Sequence, residues 1–298
     1  MKTLITGATG FVGHQLAQKI PEAIVAGRSI EKLNKRFGSK REAREWDGSE
    51  TAGTNLLEGI DTVYHLAGES IFHGRWSAAK KERIRASRVE NTRNLVEMIS
   101  KITNGPKTLI CSSAVGYYGS RGDEKLTEQS TSGSDFLAQV CTDWEKEALK
   151  AEEYGVRVVL IRTGVVLGAD GGALAQMLLP FKMGVGGRLG SGRQFMPWIH
   201  INDLINIMLY AKENVSFRGA INAVAPDPIR NSDFTRALAK ALHRPAILPA
   251  PGFALKLLLG EFATVLLGSQ CAIPEVLQQA GYEYAYPEIK TALESLVQ

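Results

Sequence analysis

The 298-residue sequence predicts an α/β protein: a doubly wound parallel sheet with a smaller, mostly helical C-terminal lobe. Three observations carry that prediction. Short apolar runs alternate with longer helix-periodic segments over the first 165 residues, the pattern of βαβ units around a parallel sheet. A glycine-rich turn links the first strand to the first helix. After Gly164 the alternation stops, glycines crowd 164–192, and further helical segments follow.

Taken in order, the apolar and β-branched runs place strands at Thr3–Thr6, Ala23–Ala26, Ala43–Trp46, Thr62–Leu66, Thr108–Cys111 and Arg157–Arg162. Helices are expected near 11–19, 77–103 and 134–154. In the last of these Phe136, Leu137, Val140, Cys141, Trp144 and Ala148 recur at three- and four-residue spacing, so one face packs on the sheet. Beyond the glycine-rich stretch, helical segments are expected near 203–213, 232–242 and 252–267, with a strand at Ala220–Val224 rejoining the sheet. The division expected is residues 1–165 and 166–298, the sheet being rejoined by about 195–226.

Composition narrows the class of protein. The chain is 44% hydrophobic and 22% charged, ordinary for a globular fold. Thirty-five Lys and Arg against 31 Asp and Glu leave a net charge of only +4, with the cations scattered along the chain, which argues against a nucleic-acid binder. Cys111, Cys141 and Cys271 form neither Cys-x-x-Cys nor a zinc spacing, and His14, His65, His73 and His243 offer no ligand set. No metal is expected, and the free thiols point to a reducing cytoplasm. Gly7 and Gly10 interrupt any signal-peptide core, while Pro249, Pro251, Lys256 and Glu261 divide the apolar stretch 246–272, so no membrane span is expected. Peripheral membrane association through 252–268 is disfavoured because Lys256 and Glu261 are its only charges.

The feature richest in chemistry is Thr6-Gly7-Ala8-Thr9-Gly10-Phe11-Val12-Gly13, between apolar Leu4-Ile5 and the amphipathic HQLAQKI. A strand turning tightly into a helix leaves backbone N–H groups uncovered, and glycines let a pyrophosphate approach them. Gly7, Thr9, Gly10, Phe11, Val12 and Gly13 are therefore the expected dinucleotide contacts. The second strand ends Ala26-Gly27-Arg28-Ser29, with Lys32 one turn on, where an NAD-specific site would place an acidic residue on the ribose. A guanidinium at Arg28 and a hydroxyl at Ser29 suit a 2′-phosphate, so NADP(H) is expected in preference to NAD.

TGATGFVG, HLAG at 65–68, SSAVGYYG at 112–119, RTGVVLG at 162–168 and PWIHINDL at 197–204 resemble the landmarks of the extended short-chain dehydrogenase/reductases, the NAD(P)-dependent epimerase/dehydratase group. With AGES at 67–70 and RW…SR at 75–88, the likeness narrows to an atypical subgroup known as "epimerase family protein", or predicted nucleoside-diphosphate-sugar epimerase. That subgroup ends in a domain of unknown function, and the likeness runs nearly end to end. It implies a Rossmann-like fold, Leu66, Ala67 and Gly68 beside the cofactor, Arg88 reaching its phosphates and Asp47 approaching the adenine. It also implies a small polar substrate, nucleotide sugars among them, and pairing into a homodimer through helices like 77–103 and 134–154.

One part of the family pattern is missing. Such enzymes use a Ser or Thr, a Tyr and a Lys, the last two as Tyr-x-x-x-Lys on the helix after the fifth strand. Alignment on Trp144-Glu145 puts Leu137 and Cys141 at those places, and Ala114 at the serine position, with Ser113 one residue before it. Tyr286-Pro287-Glu288-Ile289-Lys290 has the spacing but lies in the C-terminal lobe around a proline. Ser113, Tyr117 and Glu69 are the remaining catalytic candidates; Glu69, Tyr118, Arg193 and Trp198 are candidates for the substrate, with His200 beside them. Each also has a structural reading: pocket walls for Tyr117 and Tyr118, core for Trp198, a hydrogen-bonded histidine for His200. Two functions stay open, an NADP(H)-dependent oxidoreductase or epimerase and a catalytically inactive NADPH-binding regulatory or scaffold protein. Loops 7–13, 67–76, 112–121 and 163–172 are expected to converge on the ligand.

Overall fold

The computed structural model describes residues 2–50, 54–72 and 75–297. Its elements run β1 (Lys2–Thr6), α1 (Phe11–Lys19), β2 (Ile24–Gly27), α2 (Ile30–Phe37), β3 (Ala43–Glu45), β4 (Ile60–His65), α3 (Ala78–Ser100), β5 (Thr108–Ala114), β6 (Lys125–Leu126), α4 (Phe136–Leu149) and β7 (Arg157–Thr163). There follow β8 (Val165–Gly168), α5 (Gly172–Lys182), β9 (Phe195–Met196), β10 (Trp198–His200), α6 (Ile201–Glu213), β11 (Gly219–Ala223), β12 (Ile229–Arg230) and α7 (Asn231–Ala241). The chain closes with α8 (Gly252–Leu259), α9 (Ala263–Leu267), β13 (Cys271–Ala272), α10 (Glu275–Gln279) and α11 (Ile289–Val297).

Seven parallel strands form the central sheet in the order β11-β7-β5-β4-β1-β2-β3. The chain winds outward from β1 to β3, then returns to β4 on the other side of β1, so the topological switch lies between β1 and β4. In an open α/β sheet a crevice forms there at the carboxyl ends of the strands. Alternate residues feed two cores. Ile5, Val25, Tyr64, Ile110, Val159 and Ile221 pack under α1 and α6. Leu4, Ile24, Val63, Leu109 and Leu160 pack under α3 and α4, where Val96, Ile99, Trp144 and Ala148 complete the layer. Each such Leu or Ile fully removed from water contributes about 1.5–3 kcal/mol.

Side-chain caps fix where the outer helices begin. Ser29 accepts from the Lys32 amide at 3.3 Å, Ser77 from Lys80 at 3.2 Å and Asp135 from Ala138 at 3.0 Å. The expected helix at 134–154 is α4 followed by a 3₁₀ turn at 150–154, and 252–267 is broken at Gly260 into α8 and α9. Four helices are additions to the expected set: α2, α5, α10 and α11. Helix α2 buries only Leu33, and α5 rises from the glycine-rich stretch with Pro180 inside it. A third core joins Leu167, Leu174, Phe181, Trp198, Phe234 and Leu293 in the C-terminal lobe.

Candidate functional site

Loop 7–13 starts from a backbone that admits only glycine at its first position. Gly7 has φ +67°, and a Cβ there would lie 2.7 Å from the carbonyl carbon and oxygen of Leu66. A Cβ at Gly13 would overlap the Gly7 carbonyl oxygen, so helix α1 sits directly on the turn. No side chain caps α1. Its first-turn amides therefore remain available at the positive end of the helix, in the crevice between β1 and β4. Thr9 and Gly10 are exposed there. The Phe11 ring turns the other way, onto Gly168, Gly171 and Gly172, which explains part of the glycine richness after β7.

The crevice is braced beneath by His65, fully buried at the end of β4. Its Nδ1 lies 2.8 Å from Thr6 Oγ1 and its Nε2 3.0 Å from Thr92 Oγ1, and the Leu66 amide donates to Thr6 Oγ1 at 3.2 Å. Burial pushes the imidazole down to about 4, so it is neutral at physiological pH and ties β1, β4 and α3 together.

The walls are cationic. Arg88, half-buried, stands against Gly68, with a Cβ at Gly68 falling 3.4 Å from its guanidinium carbon. Its Nη1 donates to the Glu69 and Ile84 carbonyls at 3.0 and 3.1 Å, and the guanidinium lies 5.5 Å from the centre of the Trp144 ring. No carboxylate among the described residues pairs with it. Burial lowers its pKa without discharging it. Arg28 is exposed at the end of β2, also without a salt-bridge partner among the described residues. Ser29 caps α2, and Asp47 folds back on the Ser49 amide at 2.8 Å, which with the Ser49 side chain holds its carboxyl below the usual range. A cation desolvated beside a glycine turn, with no anion of its own, fits a nucleotide phosphate.

The structure engages several of the sequence candidates in contacts of their own, and for Trp198 and His200 these match the structural alternatives. Ser113 points to the α4 side of the sheet, where its Oγ donates to Glu145 Oε1 at 2.6 Å; strand alternation turns Ala114 the other way. Tyr118 is fully buried, donating to Asn222 Oδ1 at 2.7 Å and accepting from Arg162 at 3.0 Å, so its phenol is committed within the core. Glu69 is ion-paired to buried Lys80 at 2.7 Å. That hydrogen bond holds the carboxyl below its usual range, the wrong direction for an acid or base near neutrality. Trp198 is 2% exposed in the C-terminal core, and Arg193 is exposed beside β9. His200 accepts from the Asn202 amide at 3.0 Å and stacks on Tyr286 at 3.9 Å, so this Tyr-x-x-x-Lys tyrosine lies in the C-terminal lobe.

Tyr117 keeps a free phenol among the described residues: its ring lies 3.6 Å from the Arg162 guanidinium, while its hydroxyl has no hydrogen-bond partner. Leu137 and Cys141 face Gly116, whose Cβ would come within 3.5 Å of Leu137 and 3.8 Å of the Cys141 sulfur. Burial pushes the Cys141 thiol up to about 12, away from thiolate chemistry. The sequence reading passed over Lys80, Glu145 and the Arg162 pairings. Arg162 was visible as a charge ending an apolar strand, but its partners come from elements far along the chain. Of loop 67–76, His73 and Gly74 lie outside the described residues. Among the described residues no cluster of three or more His, Cys, Asp or Glu suits a metal, and no helix is long and apolar enough to cross a membrane.

The profile of the NAD-dependent epimerase/dehydratase family matches residues 3–223. The chain belongs to the NAD-dependent epimerase/dehydratase family. A domain of unknown function, DUF1731, matches residues 250–296. Among relatives of this epimerase-family chain is "Epimerase family protein SDR39U1 homolog, chloroplastic" of Arabidopsis thaliana, 42% identical and covering all of this chain and 87% of that protein. Another is "Epimerase family protein YfhF" of Bacillus subtilis, 37% identical, covering all of this chain and 98% of that protein. The human epimerase family protein SDR39U1, solved with NADPH, superposes with a TM-score of 0.90 at 34% identity over all of this chain and 99% of that one.

Proposed function

We propose that the chain binds NADP(H) in the crevice between β1 and β4, and that residues 1–165 carry the nucleotide while 166–298 close over a small polar substrate. The observation that supports this reading is the guanidinium of Arg88, without a carboxylate partner among the described residues, packed against Gly68 just beyond the Leu66 backbone on which the Gly7 turn closes. The first-turn amides of α1 and Arg88 would hold the pyrophosphate, Leu66, Ala67 and Gly68 would flank it, and Arg28 with Ser29 would take the 2′-phosphate. The human relative solved with NADPH supports the choice of nucleotide.

When bound, the nicotinamide supplies a hydride donor or acceptor for an oxidoreductase or epimerase reaction. Proton transfer falls to Tyr117, the phenol not already engaged, since neither Leu137 nor Cys141 can do the work of a Tyr and Lys pair. Arg162, stacked on its ring, holds the tyrosine in place. Nucleotide sugars are the substrate class to try first, on the strength of the family. The test is a panel of nucleotide sugars and small carbonyl compounds, followed by nicotinamide absorbance and by product isomerisation. Turnover is expected to fall by roughly 10²–10⁴-fold in Tyr117→Phe with NADPH affinity unchanged. Turnover that Tyr117→Phe leaves intact overturns the role of that residue. Tight NADPH binding with no turnover on any compound favours the regulatory alternative.

A further inference from the structure

The C-terminal lobe carries a face that its own core leaves uncovered. Helix α8, GFALKLLL, buries none of its side chains, and Phe253 and Leu257 are 77% and 75% exposed. Just before it Ile247 and Leu248 are 79% and 59% exposed. Leu179, Met183 and Val185 add exposed apolar groups at the end of α5 and beyond it. These segments adjoin one another. The Ala250 amide donates to the Arg188 carbonyl at 2.9 Å, the Gly190 amide to the Ala250 carbonyl at 2.8 Å, and Arg244 Nε to the Lys182 carbonyl at 3.3 Å.

The same segments contain no acid. Residues 171–194 carry Lys182, Arg188 and Arg193, and residues 234–260 carry Arg236, Lys240, Arg244 and Lys256, without one Asp or Glu between them. The chain as a whole has a net charge of +4, so the rest of the molecule is net acidic. Of the carboxylates at the margins, Asp233 is paired with Arg236 and Glu261 with Lys81, while Asp170 precedes the first turn of α5, beside Phe11 and His200 and at the opposite end of that helix from Lys182. Arg236, Lys240, His243 and Arg244 also line an open groove of about 540 Å³ immediately before Ile247.

A twofold pairing would set this cationic face against itself, which disfavours a second copy. Its apolar groups are mostly aliphatic, unsuited to stacking on bases. We propose that this face docks peripherally on an anionic lipid bilayer. Phe253, Ile247, Leu248 and Leu257 enter the headgroup boundary, and Lys182, Lys240, Arg244 and Lys256 meet lipid phosphates. Apolar insertion and a basic patch are the two signals that together give stable peripheral binding. The 252–268 segment lacks that basic patch by itself; the fold supplies it from α7 and the 182–188 stretch.

Flotation of the full chain with vesicles of phosphatidylglycerol and phosphatidylcholine, against phosphatidylcholine alone, tests the proposal. Binding is expected only to the anionic vesicles, weakening as salt rises. It should fall by about tenfold or more in both Lys240→Glu/Arg244→Glu and Phe253→Ser/Leu257→Ser. Thermal melts and NADPH titration check that these variants fold. Failure to float with anionic vesicles, equal binding to neutral ones, or variants that bind as wild type would overturn it. So would sedimentation showing a dimer that Phe253→Ser/Leu257→Ser dissolves, since the face would then belong to a second copy.

Discussion

The residues with most leverage on the site are those for which no other side chain fits. Alanine at Gly13 would drive its Cβ into the Gly7 carbonyl. Gly13→Ala is therefore expected to lower stability by about 1–3 kcal/mol in urea denaturation, and to weaken NADPH binding by about tenfold or more as the turn shifts. These glycines were legible because strand, turn and helix follow one another without a gap. His65 was visible only as a letter in HLAG, since nothing local shows that Thr6 and Thr92 enclose it. Burial moves its imidazole from 6.5 to about 4. Between those values the unfolded chain binds a proton that the native fold does not, so stability rises with pH through the window and is lost on acidification. The contribution is about 3 kcal/mol. Melting His65→Asn beside wild type from neutral to acid pH is expected to show a shallower decline in the variant; parallel declines would contradict the assignment.

At the scale of elements, a buried polar row ties the sheet to its second layer. Ser113, Arg162 and Asn222 lie in register across β5, β7 and β11, on the face that meets α4. Glu145 accepts from Arg162 Nε at 2.9 Å and from Nη2 at 2.8 Å, while Asn222 Nδ2 donates to the Ile273 carbonyl at 2.8 Å. Removing one partner of a buried pair leaves the other charge stranded. Glu145→Ala is expected to cost about 3–5 kcal/mol in urea denaturation. Ser113→Ala should cost about 1 kcal/mol and leave NADPH affinity unchanged, whereas a large loss of affinity would return Ser113 to the site. Strands β4, β5 and β7 were legible because apolar runs of that length, spaced by amphipathic helices, have few other solutions. Helix α2 was not, because IEKLNKRF carries so much charge that the spacing of Ile30, Leu33 and Phe37 is easily missed. Helix α5 was hidden by glycines whose purpose is to receive the Phe11 ring.

Over the whole molecule, the strand order places the switch between β1 and β4, and Gly7, Leu66, Gly68 and Arg88 meet at that boundary. Gly7, Leu66 and Gly68 could be read from sequence because they lie within a few positions of strand ends, whereas Arg88 sits in mid-α3 and was named only through the family resemblance. The C-terminal lobe was less legible, its short strands β8, β9, β10 and β12 being held by partners far apart in the chain. The central claim is that this crevice holds NADPH and that Arg28 recognises the 2′-phosphate. Calorimetric titration of the full chain with NADPH and NADH tests it most directly, with Arg28→Ala titrated alongside. NADPH should bind about tenfold or more tightly than NADH, with Arg28→Ala closing most of that gap. NADH binding as tightly as NADPH, or neither nucleotide binding, would contradict it.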